Sequence, residues 1–168
     1  YAIDDELSDQ GAAVVLVSGP KHLEVSNDLI HKINVQTAEE MFNEAVKQFK
    51  YCNAAIMSAA VADFKPAIRY NEKVKREKND MQITLEPNKD IAAELGKIKK
   101  ENQLLIGFAL ETNNELENAK KKIQNKNLDF IVLNSLQEQG AGFGHDTNKI
   151  SIIDKHNNIT KNMILISG

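Results

Sequence analysis

The sequence alternates short apolar runs with longer amphipathic segments, and this alternation limits the possible folds more than any other feature. Runs rich in Val, Ile and Leu suit strands buried on both faces, and they lie at 12–17, 53–59, 104–109 and 129–133. Segments with apolar residues at helical spacing lie between them, at 37–49, 90–99 and 114–124. Thr37, with Glu40 three positions later, predicts a capping box at the start of the first of these. Strands that alternate with helices favour a mainly parallel sheet with helices on both faces. The sequence therefore predicts an α/β protein.

The last part of the chain has a different pattern, which predicts a β-hairpin extension of the sheet. Residues 150–153 and 159–165 are apolar runs joined by "DKHNN", in which Asn157 and Asn158 suit a turn. At the other end, residues 1–10 have the pattern of a helix whose beginning is absent. The chain has 168 residues and no low-complexity linker, so we expect a single domain over 1–168.

Composition narrows the class of function. A net charge of −3 gives no general basic field, which makes nucleic acid a poor partner. The single cysteine, Cys52, cannot form an internal disulfide and suits a reducing cytoplasm. No apolar run reaches the roughly 20 residues that span a bilayer. We therefore expect a cytoplasmic protein that does not bind membranes.

Common catalytic and phosphate-binding motifs are missing from the sequence. There is no HExxH zinc motif, no GxSxG nucleophile motif and no GxxxxGK[ST] phosphate loop. The glycine-rich run "GAGFG" at 140–144 precedes a turn and a strand, whereas a dinucleotide fingerprint opens a helix. We interpret this run as a loop.

Polar residues follow three of the predicted strands. Asp63, Thr112 and Asn134 each come shortly after an apolar run. Ligands of open parallel sheets bind outside the carboxyl ends of the strands, so these residues favour a binding crevice. Each of them could equally cap a helix or a turn.

Two groups of basic residues could recognise phosphate. The polar segment 71–80 carries Lys73, Lys75, Arg76 and Lys78. Such a run is usually a solvated loop, but a basic loop after a strand-end aspartate can also close over a polyphosphate. Lys122 and Lys126 lie one helical turn apart and could face one anion, or they could simply favour the helix C-terminus through its dipole.

An ordered set of short strings makes the chain similar to a known enzyme family. The strings are "LVSGP", "TAEEM", "AAVADF", "EKVK", "NKDIAAELG", "IGFALETNN", "AKKKIQNKNLDFIVLN" and "GAGFGHDTNKISIID". In this order and spacing they resemble the phosphopantothenate-cysteine ligases, also called phosphopantothenoylcysteine synthetases, from residue 1 to about residue 154. Each string alone is weak, but the ordered set is specific. The resemblance implies a Rossmann-like α/β fold and a homodimer.

The resemblance also implies an activity. The family joins 4′-phosphopantothenate to L-cysteine to give 4′-phosphopantothenoylcysteine in coenzyme A biosynthesis. Bacterial members, often fused to a flavin-dependent decarboxylase, use CTP and a divalent cation such as Mg²⁺ and form an acyl-cytidylate intermediate. This chemistry requires charge neutralisation and alignment of two anionic reactants.

The resemblance assigns roles to residues at matching positions. It implies that Lys73 is a mobile-loop lysine that acts on the triphosphate and the intermediate, that Ala60 lies beside the acyl-cytidylate, and that Asp63 contacts the nucleotide. It implies further nucleotide contacts at Met57, Ser58, Ala59, Glu86, Pro87, Asn88, Lys89, Phe108, Lys122 and Lys126. Small residues at 58–60 would let the main chain approach the ligand closely. The resemblance leaves the metal ligands unknown.

The chain departs from the family pattern at two places. The order of Pro87 and Asn88 differs from the family's common "KNPD" version. The family's first strand, glycine-rich turn and substrate-binding asparagine would precede residue 1, so we expect this sequence to bind nucleotide but to be impaired in catalysis. Two alternatives stay open: an NAD(P)- or flavin-binding Rossmann-type oxidoreductase domain, and a non-catalytic nucleotide-binding fragment.

Overall fold

The computed structural model describes residues 2–20, 27, 29–68, 70, 72–73, 81–111, 114–135 and 147–166. Within these ranges the helices are α1 (Ala2–Asp9), α2 (Ala38–Phe49), α3 (Ile91–Ile98) and α4 (Glu115–Lys126). The strands are β1 (Val14–Ser18), β2 (Ile30–Asn34), β3 (Ala54–Met57), β4 (Phe64–Pro66), β5 (Leu85–Pro87), β6 (Leu104–Glu111), β7 (Phe130–Ser135), β8 (Thr147–Asp154) and β9 (Ile159–Ile166). The predicted α/β class is confirmed.

These elements belong to two compact units. The first comprises Tyr1–Glu44 and Ala60–Asp90, and the second comprises Ala45–Ala59 and Ile91–Gly168. The first unit holds α1, β1, β2, the beginning of α2, and the ribbon formed by β4 and β5. The second holds the end of α2 and the remaining helices and strands. A single domain over 1–168 stays a prediction.

A five-stranded sheet in the order β3-β6-β7-β8-β9 forms the second unit. Strands β3, β6 and β7 are parallel, and β8 and β9 add to them as an antiparallel hairpin. The parallel centre and the hairpin extension are therefore as the sequence predicts. Burial alternates along β6, where Leu105 and Ala109 are buried while Leu104 and Leu110 are about half exposed. This alternation puts the core on one face of β6.

Helices α3 and α4 contact each other and the central strands. A Cβ atom added at Gly96 of α3 would overlap the main-chain carbonyl of Lys126 at the end of α4, so glycine permits this close approach. Asn127 joins the helices by donating a hydrogen bond of 2.8 Å from its side-chain amide to the Gly96 carbonyl. The most deeply buried side chains of this unit are Leu95, Leu105, Ala119, Ile131 and Ile153.

The buried carboxylate of Asp129, just before β7, bonds to a lysine after α3, to the main chain of β6 and to a lysine after β8. The Asp129 side chain is 4% exposed, and its Oδ2 accepts hydrogen bonds from Lys99 Nζ at 2.8 Å and from the Leu105 main-chain N–H at 2.9 Å. Its Oδ1 lies 3.0 Å from Nζ of Lys155, which follows β8. Burial acts to raise the pKa of Asp129, but the hydrogen bonds from Lys99, Leu105 and Lys155 together hold that pKa below its usual value.

The hairpin turn has the residues that its geometry needs. Asn157 adopts a left-handed conformation with φ of 66°, which asparagine tolerates better than most residues. The Asp154 carboxylate accepts hydrogen bonds from the main-chain N–H groups of His156 and Asn158. A third hydrogen bond, from the Asn158 side chain, is the main cause that holds the pKa of Asp154 below its usual value.

In the first unit, α1 packs against the parallel pair of β1 and β2. Helix α2 begins with the predicted capping box, because Thr37 Oγ1 accepts a hydrogen bond from the Glu40 N–H while Glu40 Oε2 accepts one from the Thr37 N–H. The β4–β5 ribbon is antiparallel and pairs Phe64 with Pro87. Large exposed apolar side chains lie along and beside this ribbon, at Phe64, Ile68, Ile83 and Leu85.

One expectation about an extended segment needs correction. Strand β3 ends at Met57, so Ser58 and Ala59 are not part of it, because its last pairing joins Met57 to Gly107, whereas β6 continues to Glu111 paired with β7. Within the described ranges, every helix is too short or too polar to span a bilayer.

Candidate functional site

The turn after β5 is held against the segment that contains Asp63. The main-chain N–H of Asn88 donates a hydrogen bond of 2.8 Å to the Asp63 carbonyl, and the Asn88 side-chain amide donates one of 2.8 Å to the Ala62 carbonyl. Antiparallel pairing of β4 with β5 continues this contact. The structure thus brings Asp63 together with residues 86–89, although they are more than 20 positions apart in the sequence.

A cavity of about 350 Å³ lies where this ribbon meets the beginning of α2. Two ion pairs line it, with 3.3 Å between Lys65 Nζ and Glu86 Oε1 and 3.3 Å between Lys89 Nζ and Glu39 Oε1. The lining residues are Ala38, Glu39, Lys65, Glu86, Pro87, Asn88 and Lys89. The resemblance implies nucleotide contacts at four of these, 86–89, so this concave surface is a candidate site within the first unit.

The sequence analysis did not assign the other residues of this surface, which include Ala38. Glu39 and Lys65 line the cavity, and the Phe42 ring centroid lies 4.9 Å from Lys89 Nζ. Lys65 is two positions beyond Asp63 in a predicted binding segment, which was a usable signal. Glu39 and Phe42 gave none, because a helix pattern does not show which distant residue will contact it.

A separate candidate surface, within the second unit, lies at the carboxyl ends of its parallel strands. Met57 pairs with Gly107, so Phe108 lies on the neighbouring strand one residue further on. Ser58 and Ala59 follow β3 and are exposed. The Phe108 ring is 39% exposed, which leaves an aromatic face available for contact. The structure therefore brings Met57, Ser58, Ala59 and Phe108 to one region.

Asn134 belongs to the same face of this sheet as Phe108. It pairs with Leu110, and alternate residues of a strand share a face, so Phe108, Leu110 and Asn134 lie on one side. Its Oδ1 is buried and has no hydrogen-bond partner among the described residues. A buried acceptor without a partner costs about 1–3 kcal/mol, which a donor from a ligand would offset. The sequence marked Asn134 only as a polar strand end.

Lys122 and Lys126 lie one turn apart on α4, as predicted. Helix α4 follows β6 and leads to the amino end of β7, so its twelve residues run about 18 Å from the carboxyl edge of the sheet to the opposite edge. The main chain of Lys126 lies beside Gly96, close to that opposite edge. The structure therefore does not bring Lys126 to the strand ends that carry Ser58 and Ala59.

The other predicted residues of the first unit lie on its surface. Ala60, Asp63 and Lys73 are all exposed. Three sets of predicted residues fall outside the described residues: Lys75, Arg76 and Lys78 of the basic segment, the strand-end residue Thr112, and the glycine-rich run at 140–144. In the part of the chain that the structure describes, no group of three or more His, Cys, Asp or Glu side chains could hold a metal ion.

Comparison with known proteins connects these surfaces to a family. The sequence model of one protein family, the DNA/pantothenate metabolism flavoprotein C-terminal domain, matches residues 1–164. The Coenzyme A biosynthesis bifunctional protein CoaBC of Bacillus subtilis (strain 168) is 41% identical over 155 residues, which are 92% of this chain and 38% of that protein. A Cysteine/Cysteine sulfinic acid decarboxylase from an unknown prokaryotic organism is 54% identical over 160 residues, 95% of this chain and 45% of that protein. The chain thus spans less than half the length of these relatives.

Solved structures agree with this relationship. The crystal structure of the C-terminal domain of a Coenzyme A biosynthesis bifunctional protein CoaBC matches with a TM-score of 0.78 and 35% identity, over 99% of this chain and 74% of that chain. The DNA/pantothenate metabolism flavoprotein from Streptococcus pneumoniae shares the fold, with a TM-score of 0.79 at 16% identity over 98% of this chain and 79% of its own. The resemblance based on the short strings is confirmed, and the chain belongs to the family of the DNA/pantothenate metabolism flavoprotein C-terminal domain.

Proposed function

We propose that this chain is the synthetase part of a CTP-dependent phosphopantothenate-cysteine ligase of coenzyme A biosynthesis. The observation that carries the proposal is the 41% identity over 155 residues to a protein named Coenzyme A biosynthesis bifunctional protein CoaBC. The ordered strings and the cavity beside residues 86–89 support it.

The Bacillus subtilis protein and the decarboxylase are each more than twice as long as this chain. The Bacillus subtilis protein is named bifunctional, which is consistent with a second activity outside the part that this chain matches. We therefore propose that a flavin-dependent decarboxylase is the fused or associated partner of this synthetase. For the matched part we keep the proposed ligase activity, although one relative is named a decarboxylase.

The proposed reaction has two steps. A carboxylate oxygen of 4′-phosphopantothenate attacks the α-phosphorus of CTP, so an acyl-cytidylate forms and pyrophosphate leaves. The cysteine amine then attacks the acyl carbon, loses a proton, and displaces CMP to form the amide. Both steps bring anionic groups together, so nearby cations and fixed geometry supply most of the rate enhancement.

The cations of the first unit have roles in this reaction. Lys73 contacts the triphosphate and the intermediate, and Lys89 offsets phosphate charge from the cavity. Asp63 and the turn residues Glu86, Pro87 and Asn88 contact the nucleotide, and Ala60 lies beside the acyl-cytidylate. The hydrogen bonds from Asn88 to the main chain of residues 62 and 63 support this grouping, because they hold the two segments together.

We propose nucleotide contacts also at the strand ends of the second unit. Met57, Ser58 and Ala59 present main chain and small side chains to the nucleotide, while the exposed Phe108 ring offers a surface on which a base can stack. The side-chain oxygen of Asn134, which has no hydrogen-bond partner among the described residues, belongs to a residue on the same face. Lys122 and Lys126 are proposed nucleotide contacts on the resemblance alone.

We propose Mg²⁺ as a companion of CTP. Mg²⁺ is usually held by substrate phosphates together with one or two carboxylates, so it needs no complete protein cage. The carboxylates of Asp63 and Glu86 fit that pattern, since both belong to the segments joined by Asn88. When bound, the ion would neutralise phosphate charge during attack on the α-phosphorus.

We also propose a homodimer in the cytoplasm. A two-stranded ribbon is marginally stable alone, and β4–β5 carries large apolar side chains that are more than half exposed at Phe64, Ile68, Ile83 and Leu85. A second copy of this chain would cover them. Sedimentation analysis is expected to show a dimer for the wild type and weaker dimerisation for Ile83→Lys. A wild-type protein that is a monomer at every concentration would reject the proposal.

Thermal-shift titration tests the proposed nucleotide. A ligand that binds only the native state raises the unfolding temperature with concentration, so CTP with Mg²⁺ is expected to stabilise the chain more than ATP or NAD does. A larger shift with NAD would favour the dinucleotide-dependent oxidoreductase instead. CTP binding without CMP formation would favour the non-catalytic fragment.

A further inference from the structure

We propose that helix α2 positions Lys89 for the phosphate groups of the ligand, with Glu39 and Phe42 as positioning residues that have opposite effects on binding. Glu39 weakens anion binding because it competes for the lysine, and Phe42 strengthens it because it holds the lysine at the cavity. This inference rests on the proposed function for the identity of the anion, a nucleoside triphosphate.

Lys89 makes two contacts with one side of α2. Its Nζ lies 3.3 Å from Glu39 Oε1 and 4.9 Å from the centroid of the Phe42 ring. Glu39 and Phe42 are three positions apart, so they share a face of the helix. A cation within about 6 Å of an aromatic centroid is attracted by the ring. Together the two side chains give a long, flexible lysine a defined location.

The helix that holds Lys89 is well defined at this end. The capping box between Thr37 and Glu40 satisfies the first N–H groups of α2 beside Glu39. Phe42 is half buried, whereas the side chains of Glu39 and Lys89 are each 58% exposed. The ring is therefore fixed by packing, while the ion pair remains open to exchange with a dissolved anion.

The charges of the cavity explain the opposite effects. Two lysines and two glutamates line it, so its side chains sum to zero formal charge. An anion that binds Lys89 must take the place of Glu39, and it also meets the negative charge of that carboxylate. The Phe42 ring is neutral and attracts the ammonium group, so it holds Lys89 at the cavity without repelling an incoming anion.

The test measures the dissociation constants of CTP and of inorganic tripolyphosphate by calorimetry, on the 168-residue chain at low and at high salt. Glu39→Gln is expected to tighten binding about threefold at low salt, the size of an exposed ion pair, and to lose this gain at high salt. Phe42→Leu is expected to weaken binding about threefold, and Phe42→Tyr, which keeps the ring, to retain wild-type binding.

Glu94→Gln is the matched control. It removes the same charge from α3, where Glu94 pairs with Lys97 at 3.1 Å, and it is expected to leave binding unchanged. Unfolding temperatures of all variants separate binding from stability. If Phe42→Leu fails to fold, Glu39→Gln compared with Glu94→Gln decides the sign of the charge effect, and Phe42→Met, which removes the ring but keeps a large apolar side chain, takes the place of Phe42→Leu.

The outcomes distinguish this inference from the proposed function. Normal CTP binding by the wild type, with Glu39→Gln no tighter than Glu94→Gln or with Phe42→Leu no weaker than wild type, rejects the inference alone. Tripolyphosphate binding with both expected signs but no tighter binding of CTP supports the inference and rejects the nucleotide. Failure of both ligands to bind the wild type rejects both.

Discussion

Ligase turnover is expected to fall about 100-fold when Lys73 is replaced by alanine, the size of effect seen when one preorganised group that stabilises transition-state charge is removed. Lys73 is exposed and lies in a polar segment, so the same change should hardly alter the unfolding temperature. CMP release from CTP, 4′-phosphopantothenate and cysteine measures turnover in a protein that carries the complete ligase domain.

A control substitution at Lys97 separates the proposed role of Lys73 from a general effect of losing one positive charge. Lys97 is also exposed and pairs only with the neighbouring Glu94 in the contacts described for α3. Lys97→Ala should therefore keep wild-type turnover while it removes one positive charge. Equal turnover in Lys73→Ala and Lys97→Ala would remove Lys73 from the mechanism.

Replacing Asp129 by alanine is expected to lower the free energy of unfolding by about 3–5 kcal/mol, because it leaves a buried cation without its partner. The Lys99 side chain is 9% exposed and lies 2.8 Å from Asp129 Oδ2. The change also removes the acceptor of the Leu105 N–H. Urea unfolding at neutral pH measures this loss. The urea concentration at the unfolding midpoint should fall, while the slope of the unfolding free energy against urea concentration should not change.

Lys155→Ala is the control for this prediction. Lys155 contacts the other oxygen of Asp129 at 3.0 Å, but its side chain is 55% exposed. Loss of an exposed ion pair is expected to cost about 0–1 kcal/mol. Equal destabilisation by Asp129→Ala and Lys155→Ala would contradict the importance of the buried pair.

The same carboxylate makes the stability depend on acid. The folded-state pKa of Asp129 is below its usual value of 3.8. Its contribution is therefore complete above the unfolded pKa and is lost as the pH falls through the lower folded pKa. The difference in unfolding free energy between wild type and Asp129→Ala should be constant at neutral pH and shrink below about pH 4.

Local patterns predicted several elements well because their causes are close in the sequence. The capping box of Thr37 and Glu40 needs residues three positions apart, and it forms as expected. The hairpin turn with Asn157 depends on five consecutive residues. The order of strands and helices likewise follows from periodicity within short segments.

Contacts between distant residues could not be predicted in this way. Lys89 and Glu39 are 50 positions apart, and Lys99 and Asp129 are 30 apart. Their meeting depends on how the ribbon contacts α2 and how α3 lies beside the sheet. For the same reason the spacing of Lys122 and Lys126 predicted their shared helix face but not the edge of the sheet that Lys126 occupies.

The nucleotide product of the reaction tests the central claim most directly. A protein that carries the complete ligase domain is incubated with CTP, Mg²⁺, 4′-phosphopantothenate and cysteine, and the products are identified by mass spectrometry. The proposal predicts CMP and 4′-phosphopantothenoylcysteine in equal amounts, both dependent on 4′-phosphopantothenate and cysteine. Absence of the amide product, with no CMP formed under these conditions, would contradict it.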